Sequence, residues 1–256
     1  MRMKLTITLL LLILTQAVLG QKSLNQLLHN KDFKWVADSS SSRITIYYQS
    51  GSWVSLRMDM VKQKMLKQLD SVQSFMQISP YKPRIHLFIV DTRKQMKDLI
   101  GWETNGTAFY KHNVLTGVAS AKSNAIFANH ELFHLMAMNI WGVPETWLNE
   151  GMAIYADNNW YGYDLYQLTH YLIANNSYVP LEKLTKDFRN VDSMVAYPLI
   201  GSFTRYLNET YGREMLINIW KGKPKQLEKL TGKNLTELEK EWLNKIKTID
   251  YQNIKY

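Results

Sequence analysis

The sequence predicts an α+β protein: a strand-rich half over residues 33–126, then a mainly helical half over 127–250. Three observations predict it. Residues 43–49 (RITIYYQ) and 84–90 (RIHLFIV) are short runs rich in β-branched and aromatic side chains, the signature of strands. Between them, Val54, Val61, Met65, Leu69 and Val72 recur at the spacing of one helix face. Beyond residue 127 nearly every segment carries that helical period.

The elements follow in order. Residues 1–20 read as a secretory signal peptide: Arg2 and Lys4 open it, Leu5 to Leu14 form its apolar run, and Val18 and Gly20 are small enough for cleavage before Gln21. The run is shorter than the roughly 20 apolar residues of a membrane span. A cleaved leader is therefore favoured over an uncleaved anchor, and export to a periplasm or the medium is expected. Strands follow at 33–37 and 43–49, with the serines 39–42 turning between them. A helix over 54–75, a strand over 84–90 and a short helix over 92–100 come next. Strands at 107–110 and 114–119 then lead into a helix at 127–140. Further helices are predicted at 144–157, 163–174, 194–210, 213–220 and 235–247. The tetrapeptide Leu-Glu-Lys-Leu occurs at 181–184 and again at 227–230, without a longer period that would mark a repeat protein. No Pro/Gly/Ser-rich linker divides the chain, so 21–256 reads as a single domain.

Composition narrows the function. The 31 basic residues exceed the 22 acidic ones, for a net charge of +9, but they are dispersed. That describes a solvated surface; nucleic-acid binding would call for a basic stripe interleaved with aromatics, so no such partner is expected. The chain has no cysteine. Disulfides, thiol nucleophiles and cysteine metal ligands are thereby excluded, and any metal must rest on His, Asp and Glu. Sequons at Asn105, Asn175, Asn208 and Asn234 matter only where the source glycosylates.

The chemistry concentrates in His130-Glu131-Leu132-Phe133-His134, an H-E-x-x-H motif, and in Trp147-Leu148-Asn149-Glu150-Gly151 beyond it. Histidines four apart on a helix project from one face, so both imidazoles reach one metal ion. Glu131 lies beside them, placed to act on a water held by that metal. The helix is apolar nearly all round (Phe127, Leu132, Phe133, Leu135, Met136, Ile140), the mark of a buried helix. Polar groups buried there need partners, and a metal satisfies them together. The break at 141–144 and Pro144, suited to a first helical turn, bring in a second helix with Glu150 two turns along it. Two nitrogens and one oxygen leave a fourth position open, as in a catalytic zinc site. The expectation is zinc-dependent hydrolysis of peptide bonds, with one Zn2+ per chain and a peptide or protein as substrate.

HELFH followed by WLNEGMA resembles the gluzincin branch of the zincins, which includes thermolysin and the large aminopeptidases, and is closest to the peptidase MA-like domains. Ala196-Tyr197-Pro198-Leu199-Ile200-Gly201-Ser202-Phe203, then Tyr206-Leu207 and Tyr211-Gly212, are similar to a later family segment, as is the stretch from Thr231-Gly232-Lys233 to Trp242. The resemblance implies a zincin-like fold with an N-terminal mixed sheet. It makes His130, His134 and Glu150 the zinc ligands and Glu131 the general base. It also implies that the last strand, near Gly117-Val118-Ala119, lines the cleft and pairs with substrate. Two departures stand out. The Asp that thermolysin-type enzymes carry four residues after the glutamate ligand is here Ile154, leaving Asp157 either to support the site from behind the ligands or to be a solvated helix-end residue. The amine-binding G-x-M-E-N of the aminopeptidases has no in-register counterpart in Gly101-Trp102-Glu103-Thr104-Asn105, which reads as a turn.

Tyr197 is the first candidate for an oxyanion donor, set against a plain packing role, and His170 is the second. The rival to an enzyme is a catalytically inactive zincin-fold protein that binds or scaffolds in the envelope. The intact Glu131 argues against it, because a pure binder has no use for a base.

Overall fold

Strand-forming runs and helical periods settle into two compact units in the computed structural model, which describes residues 21–123, 126, 128–222, 225–252 and 254–256. One unit extends to Leu135 and the other covers Met136–Tyr256, so the cut falls within a helix. The leader and Phe127 lie outside the described residues.

The first unit opens with α1 (Leu24–Leu28), whose Ser23 and Gln26 form a reciprocal capping box. A five-stranded sheet follows in the order β1-β2-β3-β5-β4. Its strands are β1 (Trp35–Asp38), β2 (Ile44–Gln49), β3 (Ile85–Val90), β4 (Gly106–Phe109) and β5 (Val114–Val118). β1 and β2 form the antiparallel hairpin that the serine-rich turn predicts, while β2–β3 and β3–β5 are parallel and β4 returns antiparallel on β5. The sheet is mixed, as the resemblance implies. Parallel neighbours need crossovers, supplied by α2 (Met58–Met76) and α3 (Arg93–Ile100). The centre of the sheet reads as continuous apolar sequence, and Ile85, Leu87, Phe88, Ile89 and Val90 are buried on β3. Phe33 stacks on Trp35, Trp35 meets Phe88 edge-on, and Phe88 stacks on Tyr47 beside this core.

One expectation about the sheet is corrected here. Strand β5, which ends at Gly117-Val118, is flanked by β3 and β4. Its ladder groups are taken on both sides, so the edge strand on that side of the sheet is β4, with β1 at the opposite edge.

The long helix of the motif, α4 (His130–Trp141), begins three residues later than the hydrophobic pattern predicts. It is buried from Leu132 to Ala137, but Ile140 is 43% exposed, so it is not apolar-covered all round. Helices α5 (Thr146–Asp157), α6 (Leu165–Ala174), α7 (Leu181–Asp187), α8 (Ser193–Tyr211), α9 (Arg213–Gly222), α10 (Lys225–Thr231) and α11 (Leu235–Ile246) follow. Pro144 does not enter the first turn of α5, because Glu145 is its N-cap. Both Leu-Glu-Lys-Leu tetrapeptides prove helical, in α7 and α10. The segment starting at 163 is first a small hairpin, β6 (Asn159–Trp160) and β7 (Tyr163–Asp164), turned by Tyr161 and Gly162 at positive φ.

Helix α8 forms the axis of the second unit. Trp242 of α11 is fully buried and donates its indole N–H to Ser202 Oγ (3.0 Å), with its ring edge-on to Phe203. Pro198 sits inside α8 and has no N–H for the carbonyl of Met194 four residues before it. The Tyr256 hydroxyl donates to that carbonyl instead (2.7 Å), so the C-terminal segment repairs the defect the proline creates. Among the described residues, no helix is long and apolar enough to cross a membrane.

Candidate metal centre

Helical spacing brings the two histidines together. The rings of His130 and His134 lie 4.5 Å apart at a steep mutual angle, with Nε2 facing Nε2 at 3.0 Å. Two imidazoles on a tetrahedral ion, each bonded at roughly 2.0–2.1 Å, hold their nitrogens about 3.3 Å apart. The observed pair needs to open by only a few tenths of an ångström. His134 is buried and His130 half-buried. Phe133, between them in sequence, packs edge-on against Phe75 of α2 (5.8 Å) and fixes the rotation of α4.

Glu131 occupies the first turn of α4, where a carboxylate is favoured by the helix dipole. Its Cγ passes so close to Gly106 that a Cβ on that residue would stand 2.9 Å away. Edge strand β4 thus yields a side chain's worth of space to Glu131. This close approach of Gly106 to the motif is one that the sequence reading missed; its signal was an isolated glycine at the start of a strand, which marks close approach of another group.

Glu150 is held by a different device. Its neighbours Trp147, Leu148, Gly151, Met152, Ala153 and Ile154 are all buried. A Cβ on Gly151 would meet Thr204 Oγ1 at 2.3 Å and the Ile200 carbonyl oxygen at 3.1 Å, so this glycine lets α5 close onto α8. One turn on, Ile154 fills the space left by Gly201, where an added Cβ would be 2.5 Å from Ile154 Cγ2. The position that carries an Asp in thermolysin-type enzymes is therefore a packing residue, 2% exposed. Asp157 closes α5, half-buried, with its carbonyl accepting from Asn159 Nδ2 (2.8 Å).

His130, His134 and Glu150 each offer one ligand atom, and these atoms lie within 4.8 Å of one another. Two imidazole nitrogens and a carboxylate oxygen, with no thiolate in the chain, form a donor set that fits a borderline divalent cation. The family model of the peptidase MA superfamily matches residues 62–248, from early α2 to just past α11. This chain belongs to the peptidase MA superfamily. No curated protein matches it significantly. Membership supports a peptidase-like enzyme of the metallopeptidase kind, acting on peptides or proteins, and agrees with the mixed sheet and helical second half.

The two remaining peptidase MA candidates separate. Tyr197 stacks flat on Trp160 (5.0 Å) and edge-on to Phe188 (5.1 Å), and it shares with Glu150 the wall of a cavity of about 330 Å³. His170 is engaged elsewhere: its Nδ1 lies 2.5 Å from the carbonyl of Ile249, and its ring rests against Tyr251 (4.3 Å). It anchors the C-terminal segment.

Proposed function

We propose that this peptidase MA member is an exported, zinc-dependent peptidase of the gluzincin type. The convergence of His130, His134 and Glu150, with Glu131 between the two histidines in sequence, supports the reading more than any other observation. Zinc is the ion such a two-nitrogen, one-oxygen set takes when one position stays open to substrate.

His130, His134 and Glu150 would hold the zinc ion, which would supply Lewis-acid chemistry towards the scissile carbonyl and lower the pKa of water. The work of the chain's own groups is proton transfer and placement. Glu131 accepts the proton of the attacking water and passes it to the departing amine nitrogen as the C–N bond breaks. The Tyr197 hydroxyl donates to the carbonyl oxygen as it gains negative charge. Edge strand β4 presents main-chain groups to an extended peptide, which gives affinity with little side-chain selectivity.

The test has two parts. Purified protein is expected to carry one equivalent of zinc, and a chelator to abolish cleavage of a generic peptide library. Glu131→Gln is expected to keep the metal and lose activity by roughly 10²–10⁴-fold, the usual worth of a general base. An inactive binding protein of the same fold would instead hold peptides without turning them over. Cleavage by Glu131→Gln at the wild-type rate would remove Glu131 from the mechanism. Export rests on the basic and apolar run of residues 1–20, and N-terminal sequencing of the exported form, expected to begin at Gln21, checks it.

A further inference from the structure

The cavity that Glu150 shares with Tyr197 has a composition the hydrolytic chemistry does not account for. Its remaining wall is Thr146, Phe188, Arg189, Val191 and Ser193, all within the second unit. At about 330 Å³ it lies at the lower end of small-ligand sites, enough for one side chain or chain end. Phe188 and Val191 give it apolar surface, Thr146 and Ser193 give it hydroxyls, and Arg189 is the sole cation among its lining residues.

Arg189 is solvent-exposed and lines the cavity from a short helical turn. It sits on the one-turn 3-10 helix Phe188–Asn190 between α7 and α8, anchored by buried Phe188. The acids flanking it are otherwise engaged: Asp187 accepts from Asn190 Nδ2 (2.5 Å), and Asp192 caps α8 through Met194 N–H (2.9 Å). Arg189 makes no ion pair or hydrogen bond with a described residue. The other charged lining group, Glu150, would be a ligand in the proposed centre, where a bound cation would offset its charge. An anion entering this cavity therefore meets one planar, permanently charged fork with neutral hydroxyls around it, the arrangement that takes a carboxylate through two parallel hydrogen bonds.

Resting on the peptidase reading above, we infer that this cavity is a specificity subsite in which Arg189 binds a substrate carboxylate next to the scissile bond. Two sources share that chemistry: an Asp or Glu side chain within the peptide, or the free carboxylate at its C-terminus. The first gives an endopeptidase selective for acidic residues, the second a carboxypeptidase. Arg189 touches the substrate without touching the reacting atoms, so its signature is selectivity.

The experiment uses the full zinc-loaded chain and a peptide panel in matched forms, Glu against Gln within the sequence and free acid against amide at the C-terminus. In the wild type, one of the two pairs is expected to favour the carboxylate by about tenfold or more in kcat/KM. That ratio should fall to about one in Arg189→Gln, survive in part in Arg189→Lys, and invert towards Lys-containing peptides in Arg189→Glu. Binding of the same peptides to Glu131→Gln protein gives a readout independent of turnover, and the same ratio is expected in Kd. Cleavage without carboxylate preference, or a preference that persists in Arg189→Gln, overturns the subsite and leaves the peptidase reading intact. Carboxylate-selective binding that requires Arg189, without cleavage by the wild type, upholds the subsite and sinks the peptidase reading. Absence of both sinks both. The wild-type ratios test the inference even where a variant fails to fold.

Discussion

The helices that carry the two carboxylates are secured in contrasting ways. α4, with Glu131, is steered by large apolar groups: Phe133 meets Phe75, and the stretch from Leu132 to Ala137 is buried. α5, with Glu150, is positioned by what is missing. Gly151 and Gly201 remove two β-carbons and let α5 approach α8 to backbone distance. Apolar packing of the first kind tolerates exchange among side chains of similar volume, whereas a glycine contact tolerates almost none. The comparison teaches that the residue placing Glu150, the carboxylate proposed to bind metal, is the more fragile of the two, although the histidine motif is the more conspicuous in the sequence.

The largest effect is expected where a glycine spaces the base itself. Gly106→Ala puts a methyl group 2.9 Å from Glu131 Cγ and 3.3 Å from the Thr116 carbonyl oxygen. The Glu131 chain is the part free to yield, and misplacing a catalytic group by about 1 Å costs on the order of 10² in rate. Zinc content and melting temperature should hardly change while kcat drops. An unaltered kcat would show that the close contact has no bearing on the base. Gly151→Ala should do the reverse. Its methyl meets Thr204 Oγ1, on a fully buried β-branched side chain, and the change should destabilise the fold by about 1–3 kcal/mol and weaken zinc binding with it. Adding Thr204→Ala removes the nearer clash at 2.3 Å and leaves the Ile200 carbonyl at 3.1 Å, so the double variant should recover part of the loss. Denaturant midpoints and zinc titration of the four proteins in that cycle check the coupling. Additive losses would mean that α5 and α8 are not held apart by this contact.

Legibility from sequence followed the range of the interaction. The grouping of His130, His134 and Glu150 was readable because H-E-x-x-H encodes the spacing of its histidines over a single turn, and Glu150 came from a neighbouring motif. Strands such as β2 and β3 were readable from short β-branched runs. Their parallel pairing and the edge position of β4 were not, since register depends on contacts between distant segments. α7 and α10 are too short, at seven residues each, for a helical period to emerge. The β6–β7 hairpin turns on Tyr161-Gly162, with a tyrosine at φ 52° where Asn or Gly is the usual signal. The helix predicted over 194–210 forms, but the means by which α8 tolerates Pro198 was not legible: Tyr256, 58 positions on, takes the freed carbonyl. Gly106, Gly151 and Arg189 escaped notice for the same reason: each is defined by a partner or a space that only the fold creates.

The smallest effect concerns Glu209, near the end of α8. It accepts hydrogen bonds from the Tyr166 hydroxyl (2.8 Å), Arg205 Nε (2.8 Å) and Lys245 Nζ (2.5 Å), tying α8 to α6 and α11. Partial burial works to raise its pKa, but the bonds from Lys245, Arg205 and Tyr166 outweigh that and hold the carboxyl below the usual range. A depressed folded-state pKa means stability that is complete above the unfolded-chain value, about 4.3 for Glu, and that drains away as pH falls through the folded-state value. Glu209→Gln should therefore lower the melting temperature at neutral pH, by the equivalent of less than about 1 kcal/mol because the cluster is partly solvated. The gap from wild type should narrow on acidification below about pH 4 and shrink in high salt. A gap of constant size across that range would mean that Glu209 acts by packing alone. The support for α8 would then be, like that for α4, a matter of shape and not of charge.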